Sequence, residues 1–283
     1  MQRKQQTFSL LGVVALALAL PIFLRVVNSA SRWWAGAEGR LAAITVDVSH
    51  PIGPLPQPWR ALAQGGENLE TFLDGNLEKV TAIGPKYVRV DHIYDGFGVV
   101  TGSGEDLKLE WTRLDALVNK ILKTGALPFF SLSYTPLSIS KGDIVAEPKD
   151  YNDWAWIVQK TIEHYSGEKG LGEVYYEVWN EPDLFGKWTM GGKKDYKNLY
   201  LYAARGAARA SGVKNFKLGG PGTTGLYQNW MDGFFPFILE NHLRLDFFSW
   251  HRYDLDVEKY NEDVNNVEKW LESHPYFSNV EKI

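Results

Sequence analysis

The segment from Val174 to Pro182 carries the residues best suited to chemistry, in the order V-Y-Y-E-V-W-N-E-P. Side chains alternate along a strand, so Glu177 and Glu181 share one parity, and Pro182 ends the strand because it cannot donate a ladder hydrogen bond. A carboxyl group at such an end is partly withdrawn from water, so it can hold a proton near neutral pH and act as a general acid. Asn180 beside it can hydrogen-bond a substrate hydroxyl.

Strands and helices must alternate to position this segment. Apolar residues at helical spacing begin near Trp111, Trp154, Leu199 and Val257, between short strand-like runs. The runs are 43–48, 87–90, 127–132, 174–178, 216–218 and 247–250. Alternation of this kind predicts βαβ units and a parallel sheet.

Two parallel-sheet architectures are compatible with that alternation. A doubly wound dinucleotide fold requires G-x-G-x-x-G after its first strand, which this sequence lacks. A (β/α)₈ barrel places its chemistry at the carboxyl ends of several strands. Polar residues follow the predicted strands here, and they include Asp91, His92, Tyr134, Asn180, Glu181, His251 and Tyr253. We therefore expect an α/β fold of the (β/α)₈ barrel type. Alone, Asn-Glu-Pro is typical of a turn with a solvated glutamate, but its place after the fourth strand favours catalysis.

Composition excludes several classes of function. The 283 residues carry a formal net charge of −4, which does not suit a nucleic-acid partner. Cysteine is absent, so disulfides, thiol nucleophiles and thiolate metal sites are excluded. No H-E-x-x-H or similar metal spacing occurs, and we expect neither a metal nor another cofactor. Trp, Tyr and Phe number 11, 14 and 14; most are expected in the core, and some can stack on a sugar ring.

The amino terminus is typical of an export signal. Arg3 and Lys4 precede an uncharged apolar run from Phe8 to Leu24. The run is long for a signal peptide and barely long enough to span a bilayer, so a cleaved signal and a membrane anchor both remain open. We expect residues 1–30 to be this signal or anchor and residues 31–283 to form the barrel domain, located outside the cytoplasm.

Three stretches of the sequence resemble glycoside hydrolase family 39, which includes β-xylosidases and α-L-iduronidases. They are Trp179–Pro182, the Gly53-Pro54-Leu55-Pro56 run with Trp59, and Asp246–Tyr253. The resemblance implies a retaining (β/α)₈ glycosidase whose substrate is a glycoside or oligosaccharide. It implies that Glu181 is the general acid/base and that Asn180 binds the hydroxyl beside the anomeric carbon. His251 and Tyr253 are then expected to line the subsite around the scissile bond.

The resemblance leaves other residues with two interpretations each. Arg89 resembles an arginine that steadies the nucleophile in such barrels, and it is equally suited to an interior salt bridge with Glu177. Asp91 and His92 lie where the family tends to carry a sugar-binding histidine, and the spacing does not choose between them. Trp179 is as suitable for packing at the barrel mouth as for stacking on substrate.

The sequence departs from the family at its end. Retaining hydrolysis requires a second carboxylate, which the family carries as a glutamate at the end of the seventh strand. The sequence finishes at Val280-Glu281-Lys282-Ile283, which resembles only the opening of that strand, and Glu281 would lie at its amino-terminal end. We therefore expect a truncated barrel, inactive alone, with its nucleophile beyond residue 283. Open alternatives are an inactive carbohydrate-binding barrel and another retaining enzyme such as an endo-glucanase or mannanase.

Overall fold

The computed structural model describes residues 19–21, 45, 47–50, 53–54, 57–63, 71–272 and 274–283. The chain divides into two compact units, residues 1–55 and 56–283, and the second unit contains the sheet. The expected signal or anchor at residues 1–30 lies outside the described residues, apart from 19–21. Within the described ranges, no helix has the length and apolar character needed to cross a bilayer.

A single parallel sheet of seven strands organises the second unit, and its strands pair in chain order. The strands are β1 Ala61–Ala63, β2 Tyr87–Val90, β3 Leu127–Leu132, β4 Val174–Val178, β5 Phe216–Thr223, β6 Phe247–Trp250 and β7 Glu281–Lys282. The intervening helices are α1 Leu77–Ile83, α2 Thr112–Lys123, α3 Tyr151–Ile162, α4 Tyr196–Arg209, α5 Gln228–Glu240 and α6 Glu258–Glu272. Six βα units followed by a seventh strand form an incomplete (β/α)₈ barrel, which confirms the predicted fold class.

The chain also forms shorter elements of secondary structure besides these strands and helices. A hairpin of Val100–Thr101 and Lys108–Leu109 follows β2, and a π-helical segment at Glu163–Glu168 continues α3. Short 3₁₀ turns lie at Pro58–Arg60, Gly104–Asp106 and Pro275–Phe277. These elements lie outside the seven-stranded sheet, so the strand order itself is uninterrupted.

The predicted first strand at 43–48 is wrong. Of that run the structure describes residues 45, 47 and 48, which are not in a strand, and the other three lie outside the described residues. The Asp47 carboxylate instead accepts a hydrogen bond from the Ser49 backbone at 2.9 Å, which is the local side-chain contact that favours a turn. The sheet begins at Ala61–Ala63, where Ala61 is paired with Tyr87.

The five other predicted strands are confirmed, and the helices follow from their apolar faces. On α2 the buried side chains are Leu114, Leu117, Val118 and Ile121, which recur at helical spacing. Asp150 and Asp195 cap α3 and α4, accepting hydrogen bonds from the backbones of Asn152 and Lys197. Helices α1 and α5 were not predicted from the sequence; α5 contains Pro236, which weakens a helical pattern.

Close packing of α3 on α4 depends on Gly206. A Cβ atom at this position would lie 2.2 Å from the backbone oxygen of Ala155 and 3.1 Å from the backbone nitrogen of Gln159. Both obstacles are backbone atoms, so a larger residue requires the two helices to separate. The absence of one methyl group therefore sets the distance between these helices.

We predict that Gly206→Ala lowers the free energy of unfolding by about 1–3 kcal/mol, since overpacking outweighs the helix propensity gained. Urea denaturation followed by circular dichroism measures the change. Gly142→Ala is the matched control, because its added Cβ would meet only the Ala146 side chain at 3.8 Å. Equal stability of the Gly206→Ala protein and the control would contradict this account.

Candidate active site

A cavity of about 760 Å³ opens at the carboxyl ends of the strands. It brings together all seven site residues that the sequence analysis proposed: Arg89, Asp91, His92, Asn180, Glu181, His251 and Tyr253. The carboxyl ends of parallel strands meet at one edge of a sheet, so residues distant in sequence converge there. The roles assigned to them remain predictions.

Glu181 lies three residues beyond β4 and is held from two sides. Its backbone N–H donates to the carbonyl of Gly222 at 2.9 Å, and its Oε1 lies 2.7 Å from Nδ1 of His251. The side chain of Glu181 is only 13% exposed. The backbone N–H of His251 donates to the carbonyl of Thr223 at 2.7 Å, so the carboxyl end of β5 anchors both partners. The site thus holds a mostly buried carboxyl group beside an imidazole.

The backbone around Glu181 adopts an uncommon conformation. Trp179 and Glu181 have φ values of 77° and 46°, in the left-handed region that side chains disfavour. Such residues cost about 1–3 kcal/mol each and persist only where neighbouring contacts hold them. The fully buried Trp179 ring supplies one contact, donating from Nε1 to the carbonyl of Phe185 at 2.8 Å. The Trp179 ring therefore packs inside the protein against Tyr134 and Trp188, and because it is fully buried it is not available to stack on a substrate.

Asn180 belongs to a hydrogen-bond network that determines its orientation. Its Oδ1 accepts from Nη2 of Arg89 at 3.0 Å, and its Nδ2 donates to the hydroxyl of Tyr134 at 2.9 Å. A guanidinium group can only donate, so the amide oxygen must face Arg89. The amide of Asn180 is thereby presented to the cavity in one orientation.

Arg89 also forms the interior ion pair that the sequence analysis considered. Its Nε donates to Oε2 of Glu177 at 2.9 Å, and its Nη2 contacts the same oxygen. Oε1 of Glu177 accepts a hydrogen bond from Ser249 at 2.7 Å. Both oxygens of Glu177 are therefore occupied. The alternative role of Arg89, toward a nucleophile, stays a prediction.

Asp91 and His92 occupy different electrostatic environments. His92 lies 2.8 Å from Asp95, and this hydrogen bond raises the pKa of the imidazole. Asp91 is 5% exposed, and its Oδ1 has no hydrogen-bond partner among the described residues. Burial raises the pKa of the Asp91 carboxyl, although the neighbouring Arg89 opposes the shift. Asp91 is thus a carboxyl group in the cavity wall whose charged form is disfavoured by burial.

The family model for glycosyl hydrolases family 39 matches residues 42–282. The chain belongs to this family. It is 28% identical over 236 residues to a β-xylosidase from Caldicellulosiruptor saccharolyticus, a match that covers 77% of this chain and 47% of that protein. It is 26% identical over 241 residues to an α-L-iduronidase from Homo sapiens, covering 74% and 36% respectively.

A solved structure of a family 39 β-xylosidase from Caulobacter crescentus also matches this family 39 chain, with a TM-score of 0.61 and 25% identity. The match covers 75% of this chain and 49% of that one. The chain therefore spans about half or less of the length of these relatives.

Glu281 lies at the other end of this family 39 barrel, as the sequence analysis expected. It is the first residue of β7 and is paired with Phe247, the first residue of β6. Its carboxylate forms an ion pair with Lys217 and accepts a hydrogen bond from the Tyr175 hydroxyl at 2.7 Å. Burial, together with Glu281, raises the pKa of Tyr175 to about 12. This cluster lies at the amino-terminal end of the barrel, and none of its three residues lines the cavity.

Several cavity residues were assigned no role from the sequence. They include Tyr134, Phe185, Ser249, Trp250 and Arg252. Tyr134 was recognised only as a polar residue after the third strand, and Ser249, Trp250 and Arg252 only as part of the Asp246–Tyr253 stretch. Phe185 follows the Asn-Glu-Pro turn, and no local motif distinguishes it. Tyr253 lines the rim of the cavity and is 89% exposed, so it lies at the outer edge of the site. Its predicted contact around the scissile bond stays a prediction. In the described part of the chain, no group of three or more His, Asp and Glu side chains is arranged to hold a metal ion.

We predict that Asp91→Asn raises the melting temperature at pH 7. The raised pKa means that the ionised carboxylate destabilises the folded state at neutral pH. This penalty disappears below the unfolded pKa of about 3.9, where both states are protonated. Melting curves at pH 7 and pH 3.5 should show a stabilisation that shrinks on acidification.

Asp95→Asn is the matched control and should lower the melting temperature at pH 7. Burial opposes ionisation of Asp95, but the hydrogen bonds from His92 and from the Tyr134 backbone outweigh it and lower the pKa. Asp95 therefore contributes stability above its unfolded pKa, and that stability is lost as the pH falls through the folded pKa. A destabilising Asp91→Asn at pH 7 would show that its charge is compensated in the fold.

Proposed function

We propose that the protein is a retaining glycoside hydrolase that acts in the manner of a β-xylosidase, with Glu181 as general acid and base. The observation that carries this proposal is the position of Glu181 at the carboxyl end of β4, 2.7 Å from His251 and in one cavity with Asn180. Membership of family 39 and the similarity to a protein named β-xylosidase support it. A glycoside or oligosaccharide is the proposed substrate.

In the proposed reaction, Glu181 protonates the oxygen of the departing group as the glycosidic bond breaks. A second carboxylate attacks the anomeric carbon, and Glu181, now ionised, removes a proton from the water that hydrolyses the glycosyl-enzyme. The amide of Asn180, oriented by Arg89 and Tyr134, hydrogen-bonds the neighbouring hydroxyl of the sugar. His251, beside Glu181, supports its change of charge between the two steps.

The attacking carboxylate is proposed to lie at the carboxyl end of the seventh strand, beyond residue 283. Two carboxyl groups of a retaining enzyme lie about 5–5.5 Å apart. Glu177 is unsuited to attack because Arg89 and Ser249 occupy its oxygens. Glu281 is at the opposite end of the barrel. We therefore propose that a strand extending past Lys282 carries the nucleophile.

We also propose that the protein is exported. Arg3 and Lys4 followed by the uncharged run from Phe8 to Leu24 support a signal peptide or a membrane anchor within residues 1–30. Export would bring the barrel into contact with extracellular oligosaccharides. On this proposal, membrane attachment through residues 8–24 is the alternative to release by cleavage.

Glu181→Ala in the protein at its full natural length should abolish general acid catalysis, a contribution of about 10²–10⁴-fold. Aryl glycosides with poor leaving groups should lose most of their rate of glycosylation, whereas activated ones need little protonation and should lose less. Azide should restore breakdown of the intermediate and yield a glycosyl azide. Steady-state kinetics over a series of aryl glycosides measures both effects.

Glu173→Ala is the matched control for this experiment, because Glu173 directly precedes β4 at its amino-terminal end and is exposed. It should retain the rates of the unmodified enzyme. An equal loss on every leaving group in the Glu181→Ala enzyme, without rescue by azide, would reject the assignment of Glu181.

The stereochemistry of hydrolysis tests the proposed covalent route. If a second carboxylate attacks directly, the first product retains the anomeric configuration of the substrate, because two inversions occur in sequence. Proton NMR of the product before mutarotation distinguishes the two configurations. Inverted product would mean that the second carboxylate activates water, and that the retaining mechanism is wrong.

A further inference from the structure

Asp263 on α6 makes three hydrogen bonds to the segment that carries His251. Its Oδ2 accepts from Nε1 of Trp250 at 3.1 Å and from Nε of Arg252 at 2.8 Å, and its Oδ1 accepts from Nη2 of Arg252 at 2.6 Å. Asp263 is 5% exposed, so its carboxylate is largely withdrawn from water. A bidentate arginine–carboxylate pair of this kind is strong and geometrically specific.

These contacts hold the two residues that flank His251. Trp250 ends β6, and the chain leaves the sheet at His251. Farther along, the side chains of Tyr253 and Leu255 are 89% and 93% exposed and provide little packing. The Asp263 contacts therefore fix the segment at the point where regular structure ends.

The orientation of His251 determines how Glu181 is presented. Nδ1 of His251 lies 2.7 Å from Oε1 of Glu181, and a backbone hydrogen bond to Thr223 fixes the other side of the residue. A displacement of about 1 Å in a reacting group can cost 10²-fold in rate. A shift of Trp250 or Arg252 would pass directly to the imidazole between them.

We propose that Asp263 is a positioning residue that holds His251 against Glu181 by anchoring Trp250 and Arg252. It does not touch the substrate, and it acts through His251. The proposal rests on the proposed function of Glu181 as acid and base. It assigns to α6, a helix on the outside of the barrel, a part in proton transfer.

Asp263→Asn in the protein at its full natural length tests the proposal. The variant keeps the shape of the side chain but loses the charge that pairs with Arg252. We expect kcat to fall about tenfold on aryl glycosides with poor leaving groups, with little change on dinitrophenyl glycosides and little change in KM. A structural role alone would lower all rates equally through loss of folded enzyme. Asp263→Glu, which retains the carboxylate, should recover part of the loss.

Asp246→Asn is the matched control, because Asp246 directly precedes β6 and pairs with Arg244 at 2.6 Å at the opposite end of the same strand. Any loss of rate in Asp246→Asn should be the same for every leaving group. Arg252→Lys provides a second variant if Asp263→Asn fails to fold, and it should give the same leaving-group dependence. The proposal is overturned if the variant loses the same fraction of its rate on every leaving group, or if its rates change in the same way as those of Asp246→Asn.

NMR titration of the His251 imidazole separates this proposal from the proposed function, since it requires no turnover. The signal is assigned by its absence in His251→Asn. A change in the His251 titration on Asp263→Asn but not on Asp246→Asn supports the positioning role, even if Glu181 proves not to be the acid. An unchanged titration overturns it, even if Glu181 is catalytic.

Discussion

The ion pair between Arg89 and Glu177 is the interaction around which the interior of the barrel is arranged. Burying either charge alone would be strongly unfavourable, so the two must meet and their remaining atoms must be satisfied. The Ser249 hydroxyl donates a hydrogen bond to the second oxygen of Glu177, and the amide oxygen of Asn180 accepts one from Nη2 of Arg89. Strands β2, β4 and β6 are thus joined across the interior by one network. The residue beside the proposed acid is oriented as a consequence of keeping these charges paired.

The network explains how much of the site could be foreseen from the sequence. The alternation of strands and helices was sufficient to place Asp91, Asn180, Glu181 and His251 at one edge, because parallel strands end together. The pairing of Arg89 with Glu177 was one of two alternatives, and parity along β4 brought Glu177 onto the face of Glu181. The roles of Tyr134 and Asp263 were not identified, because their contacts come from loops and a helix distant in sequence.

The errors in the predicted fold also have physical causes. The run at 43–48 has the composition of a strand, but Asp47 bonds locally to Ser49 and favours a turn. The observed β1 consists of three residues, too short for an alternating pattern to be recognised. The helix α5 contains a proline, and α1 has only seven residues and no buried side chain, so neither gives a clear helical period.

Strand β5 determines how closely its neighbours approach, because it contributes mainly glycine at this edge. A Cβ on Gly219 would lie 2.2 Å from the backbone oxygen of Phe247, and one on Gly222 would lie 2.9 Å from Oε1 of Glu177. With no side chains at these positions, groups on β4 and β6 meet across β5. Ser249 reaches Glu177 at 2.7 Å, deep in the barrel.

The same arrangement continues at the mouth, one step beyond the ends of the strands. His251 reaches Glu181 at 2.7 Å across β5, whose Gly222 and Thr223 carbonyls accept the backbone N–H groups of these two residues. Gly222 itself has a φ of 61°, which glycine adopts without strain. The left-handed conformation of Glu181 is therefore held by a hydrogen bond to Gly222, which adopts its own positive φ without strain. The lack of side chains at the carboxyl end of β5 therefore lets the proposed acid and His251 meet, although neither residue belongs to the sheet.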